Sequence, residues 1–128
     1  MSRNWEFFTE QEMQCKGTGV CDMNEDFMSK LIKLRRKFNE PMIITSGYRH
    51  PAYNMTIGGT RNSAHTKGRA VDVLVMGKEA LRLVRLALDT GMTGIGVAQK
   101  GKANTRFIHI DDLEDSDENP RPYIWSYK

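Results

Sequence analysis

Ser63-Ala-His65-Thr-Lys-Gly68-Arg-Ala70-Val-Asp72-Val-Leu74-Val75 is the stretch on which the reading of this chain turns. From Ala70 onward it alternates as a strand does, with Val71, Val73 and Val75 on one face and Ala70, Asp72 and Leu74 on the other. Asp72 is the anomaly. A carboxylate inside an apolar strand is costly unless it is paired or bound to a metal. Two of the three histidines lie where they could answer it, His65 just upstream and His109 in Phe107-Ile-His109-Ile-Asp111. A strand histidine taken alone is more often structural; beside Asp72 it becomes a candidate ligand. Two histidines and an aspartate leave a fourth tetrahedral position for water, the pattern of a catalytic zinc rather than a closed structural one. The spacing from His65 to Asp72 is too long for adjacent helical turns and fits a loop residue reaching back onto the following strand.

Around this stretch the chain reads as helices beside short strands. Asn24 caps a helix with Glu25 and Asp26 in its first turn, and Phe27, Met28, Leu31, Ile32, Arg35 and Phe38 follow at helical spacing. Lys30, Lys33, Arg35, Arg36 and Lys37 read as its wet face, and Asn39-Glu40-Pro41 ends it. Met42 to Thr45 is a short strand, and Tyr48 to Gly59 is a loop with room for one helical turn. A second helix from about Lys78 to Thr90 has Leu81, Val84 and Leu88 as its predicted inner stripe and Gly91 as its cap. Gly94 to Ala98 and Arg106 to Asp111 are strands, the acidic stretch to Pro120 is a loop, and Tyr123 to Tyr127 is a final edge strand. Without regular strand–helix alternation, the class is α+β with a small, mainly antiparallel sheet flanked by helices.

Composition narrows the function. With 128 residues, 39% hydrophobic and 27% charged, the chain suits one globular domain, residues 1–128. No run approaches the roughly 18 apolar residues of a membrane span. Met1 to Glu10 has no apolar segment of the secretory kind, so synthesis in the cytoplasm is expected. The two cysteines, Cys15 and Cys21, are too few for a disulfide scaffold and read as thiols in a small apolar corner. The net charge of +3 conceals six acidic residues between Asp111 and Glu118; the rest carries 19 basic residues against ten acidic ones. Such a body suits an anionic polymer such as bacterial wall, or is an ordinary solvated surface. No interleaved basic and aromatic run favours nucleic acid. Gly58-Gly59 and Gly94-x-Gly96 lack the remaining residues of a phosphate loop and read as turns or tight packing.

Ser63-x-His65-x-x-Gly68-x-Ala70-x-Asp72, preceded by Ser46-Gly-Tyr48-Arg49-x-Pro51 and Asn54 and followed by Phe107-Ile-His109-Ile-Asp111, resembles a known family. These are the M15-type zinc peptidases, D-Ala-D-Ala carboxypeptidases and phage endolysins that cut bacterial peptidoglycan and share a fold with hedgehog N-terminal domains. The resemblance spans about residues 7 to 111, with a weaker echo from Arg121 to Trp125. It implies one zinc per chain held by His65, Asp72 and His109. It implies that Arg49 polarises the scissile carbonyl or steadies its oxyanion, and that Ser63, Tyr48 and Trp125 face the peptide. The alternatives are a loop ion pair for Arg49 and a turn or cap for Ser63; Gly68 lets the backbone turn toward the strand.

Relatives place an acidic residue or histidine just before the last ligand, but Ala103 to Ile108 contain neither. His50, beside Arg49, is a spare candidate for the base and reads more readily as an exposed loop residue. Asp111, on the strand face of His109, is assigned to that task, or to orienting a ligand histidine. The implied partner is the peptidoglycan stem peptide, with no nucleic acid, no membrane and a monomeric protein. The implied setting is a phage lysin made in the host cytoplasm and acting on the wall after release. The competing expectations are an L-alanyl-D-glutamate endopeptidase of the same family and a zinc-containing binding module without turnover.

Overall fold

A computed structural model describes residues 4–127; Met1 to Arg3, part of the stretch read for a leader, and Lys128 lie outside the described residues. The elements run β1 (Asn4–Trp5), β2 (Phe8–Thr9), α1 (Glu10–Met13), α2 (Glu25–Phe38), β3 (Ile43–Ser46), α3 (Pro51–Thr56), β4 (Ala70–Leu74), α4 (Gly77–Asp89), β5 (Gly94–Ala98), β6 (Phe107–Asp111) and β7 (Tyr123–Ser126). The fold is α+β. β1 and β2 form a small hairpin, and the other strands form one sheet in the order β3-β4-β6-β5-β7. All its pairings are antiparallel except β5 with β7.

The alternation read in Ala70 to Val75 holds, and it divides the sheet into two working faces. Val71, Val73, Ile95, Ile108 and Ile110 join the buried side chains of α2 and α4 in one core. The opposite face carries Asp72, His109, Gly96 and Trp125, which lie in register across four adjacent strands.

Helix α2 begins as expected. Asn24 Oδ1 accepts the Phe27 N–H at 3.0 Å, and Glu25 and Asp26 occupy the first turn, where the helix dipole favours them. Its buried stripe is Phe27, Met28, Leu31, Leu34 and Phe38, with Leu34 in place of Ile32 and Arg35. Helix α4 corrects the sequence reading more strongly. Ala80, Leu83 and Ala87 are buried, whereas Leu81 is 73% exposed and Leu88 52%. The helix carries two apolar stripes one residue apart, so periodicity alone does not choose between them. The choice is made by Arg82, which donates to the Phe38 carbonyl at 2.8 Å, pairs with Glu40 and Glu79, and lies 4.1 Å over the Phe38 ring. That anchor on the end of α2 turns the small alanines inward, and they permit close packing of the two helices.

The acidic stretch from Asp111 is not uniformly a solvated loop. Asp112 is buried, takes both Nε and an Nη of Arg69 at 2.8 Å, and also takes Lys30 Nζ at 2.8 Å. Lys30, expected on the wet face of α2, therefore ties that helix to the end of β6. The carboxylate is fully buried while the two cations keep part of their hydration, so what its removal costs is the set of charged hydrogen bonds it accepts. Replacing Asp112 with Ala should destabilise the protein by about 1.5–3 kcal/mol, read from denaturant unfolding. A loss under about 1 kcal/mol would mean the cluster stays hydrated.

Candidate metal centre

The His65 ring is aimed by a turn whose geometry is local. Residues Ala64–Lys67 form a 3-10 turn that Ser63 caps, its Oγ accepting the His65 N–H at 3.2 Å. Gly68 closes the turn at φ +69°, a conformation costly for other residues, with Asp22 O only 2.1 Å from where a Cβ would stand. The chain then enters β4 and delivers Asp72 next to His109 on β6, the two being direct cross-strand partners.

The three side chains converge. His65 Nε2 lies 3.3 Å from Asp72 Oδ1, and His109 Nδ1 lies 3.2 Å from the same oxygen. One ligand atom from each falls within 4.8 Å of the others, and all three residues are buried. The outer nitrogens decide the tautomers. His65 Nδ1 is 2.8 Å from the Gly47 carbonyl, which can only accept, so Nδ1 carries the hydrogen and Nε2 the lone pair. His109 Nε2 is 2.7 Å from Asp111 Oδ2, which likewise leaves the Nδ1 lone pair facing Asp72. In neutral histidines, two nitrogen lone pairs and a carboxylate oxygen then point into one small volume. Such an arrangement repels itself unless a cation sits among the three. This donor set fits a metal ion.

The pKa shifts express the same demand. Burial alone would raise the Asp72 carboxyl, but the charge of His65 and hydrogen bonds from His109 and His65 hold it far below the usual carboxylate range. Burial lowers the His109 pKa, yet hydrogen bonds to Asp111 and Asp72 outweigh it and leave it raised. The pocket binds positive charge, as protons or as metal.

A cavity of about 520 Å³ opens onto the centre, and Arg49, Ser63, His65, Asp72, His109 and Trp125 all line it. Arg49 donates to Asn54 Oδ1 at 2.9 Å and to Ser46 Oγ at 3.4 Å, so its partners are neutral and the expected alternative of a loop ion pair is not what holds it. Asn54 is itself buried and donates to the Thr60 carbonyl at 2.9 Å, which fixes the acceptor that aims Arg49. The helical turn allowed for between Tyr48 and Gly59 is α3, and it carries Asn54. Trp125 lies against the His109 ring, with 5.0 Å between centroids.

Three expectations need correction. Tyr48 does not line the cavity: it is 8% exposed, belongs to the main core, and its N–H is held by the Met13 carbonyl at 2.8 Å. His50 also lies off the cavity lining and caps α3, Nδ1 accepting the Ala52 N–H at 3.1 Å. Asp111 shares a strand face with His109 as read, but it is fully buried and absent from the cavity wall. Besides His109 it takes Arg121 Nε at 2.9 Å and an Arg121 Nη at 2.8 Å. Burial would raise its carboxyl, but His109 and Arg121 hold it down to about 2. A carboxylate so committed faces His109 and Arg121 rather than the cavity.

Sequence reasoning missed Arg121, Tyr127 and Glu118, all of which line the cavity. The signals were the weak echo of the family from Arg121 to Trp125 and Gly94-x-Gly96: Gly94 leaves the space that Asp111 and Arg121 fill, and Gly96 the space for Trp125 and Tyr127.

The chain matches the family model described as Peptidase M15 over residues 6–111. No curated protein matches it. Because Asp111 acts through His109, Asp111→Asn should weaken divalent-metal binding about 10–100-fold, read by chelator competition, without abolishing binding at high metal. Unchanged affinity would show that His109 needs no such partner.

Proposed function

The chain belongs to the peptidase M15 family, and from that premise we propose that it is a zinc-dependent hydrolase of peptide bonds in peptidoglycan stem peptides. The observation that carries the reading is the convergence of His65 Nε2, His109 Nδ1 and Asp72 Oδ1 at the floor of an open cavity beside Arg49. Two histidines and a carboxylate are a ligand set of catalytic zinc. When bound, zinc supplies Lewis-acid polarisation of a carbonyl and a water acidified to a pKa near 7.

The residues of the chain do the rest. Arg49 has five N–H donors, and the two given to Asn54 and Ser46 fix its plane while others remain for the cavity. A guanidinium held in this way is organised before the reaction to meet negative charge on the carbonyl oxygen. Ser63 holds the turn that aims His65 and also faces the cavity, so we assign it to both tasks. Trp125 offers the peptide an aromatic wall. Among the described lining residues Glu118 is the one carboxylate besides Asp72, and we assign it to accept the proton of the attacking water in place of Asp111. The bond we favour is D-alanyl-D-alanine, as carboxypeptidase or endopeptidase, with the L-alanyl-D-glutamyl bond as the alternative. The setting proposed with it is a monomeric, single-domain phage lysin acting on the host wall.

A second reading, a zinc-containing binding module without turnover, is favoured by one observation: Ala103 to Ile108 hold no acidic residue or histidine, and Asp111 is engaged elsewhere. Incubation with defined muropeptides separates the two readings, because mass spectrometry of the fragments shows both whether a bond is cut and which one. For the hydrolase, Arg49→Ala should lower kcat by about 10²–10³ with metal content and melting temperature unchanged. Normal turnover in that variant would remove Arg49 from the chemistry.

A further inference from the structure

The family match ends at Asp111, yet one wall of the cavity is built by residues beyond it, among them Arg121, Trp125 and Tyr127. They reach the site because β7 runs alongside β5, whose Gly94 and Gly96 leave that face of the strand empty. A Cβ on Gly96 would stand 2.7 Å from both Trp125 Nε1 and the Tyr127 hydroxyl. Gly96 is the cross-strand partner of His109, and His109 of Asp72. The phenolic oxygen of Tyr127 therefore lies over the row that carries the metal centre.

Its surroundings give that hydroxyl a direction. Phe107 packs on the Tyr127 ring with 5.1 Å between centroids, which steadies it. The Trp125 indole nitrogen, able only to donate, stands on the same side of Gly96 as the Tyr127 oxygen, each of the two atoms 2.7 Å from the point a Cβ would occupy. The phenolic hydrogen is then left to be donated elsewhere, and the cavity is the open side. Burial and the nearby Asp72 raise the Tyr127 pKa, Trp125 and Arg49 lowering it less, so the group stays protonated and a donor at neutral pH.

We propose that Tyr127 is a catalytic residue whose O–H donates a hydrogen bond to the scissile carbonyl oxygen as that oxygen gains charge, complementing Arg49. The inference rests on the peptidase reading above. Water oxygen bonds to the carbonyl carbon while the carbon–oxygen π pair moves onto the carbonyl oxygen. The pair returns as the carbon–nitrogen bond breaks, and the nitrogen leaves with a proton that came from the water. Tyr127 neither gains nor loses a proton; it stabilises the charge that appears between these events.

Tyr127→Phe removes the hydroxyl and keeps the ring. The expected result is a kcat about 10²-fold lower on a defined muropeptide at unchanged KM. Affinity for a phosphinate dipeptide, which mimics the charged tetrahedral state, should fall by a similar factor in calorimetry. Affinity for the product peptide, metal affinity and melting temperature should stay as in the parent. Wild-type kcat and phosphinate affinity would overturn the proposal, and so would a loss of metal affinity or melting temperature that accounts for the drop. A parent protein that cuts no muropeptide overturns the peptidase reading instead, and that outcome is seen before any variant is compared.

Discussion

A carboxylate buried between two histidines on the central strands is the constraint to which the surrounding structure answers. Asp72 can stand on the face of β4 only because His65 and His109 are fixed on either side of it, 3.3 and 3.2 Å from one oxygen. Each histidine in turn needs an acceptor behind it, and different parts of the chain provide them. The end of α1 holds the segment that presents the Gly47 carbonyl to His65, through the Tyr48 N–H and the Met13 carbonyl. Asp111 serves His109 and is itself held by Arg121. The centre is thus an inner set of three groups whose aim is set by outer hydrogen bonds. Elements far apart in sequence are bound to one point.

Much of this was legible in the sequence, for a physical reason. A strand with strict alternation shows any polar residue on its buried face as an exception, and Asp72 was that exception. Caps are equally local: Asn24 with Glu25 and Asp26 marked the start of α2 within one turn. Gly68 and Ser63 also act within a few residues, so the turn that aims His65 could be read in outline. The fold class, the main helices and the central strands came from signals of this short range.

What escaped the sequence depends on contacts between distant residues. The rotation of α4 could not be read from two equivalent stripes, since the contact of Arg82 with the end of α2 decides it. Asp112 looked like part of a solvated acidic run, and the grip on Asp111 went unseen, because their partners, Arg69 and Lys30 for the first and Arg121 for the second, are 43, 82 and ten residues away. Tyr48 sat in the right motif, but it is taken up by the core, whose other members come from distant parts of the chain. The two glycines of β5 were seen as tight packing, but nothing local said that residues 121–127 would lie over them.

The same long-range pairing settles which positive charge the cavity can use. Arg121 lines the cavity but faces the Asp111 carboxylate with two hydrogen bonds, and Arg69 and Lys30 share the Asp112 carboxylate. These cations are committed to holding the structure together. Arg49 differs from them: its partners Asn54 and Ser46 are uncharged, so they fix its position without cancelling its charge. A charge kept in place by neutral dipoles, in a partly dry cavity, interacts with a developing anion more strongly than one shared with a carboxylate. The basic excess of the sequence is therefore no guide to the chemistry. Most of that charge near the centre is spent on carboxylates, and the portion left for a substrate is one guanidinium aimed by an asparagine.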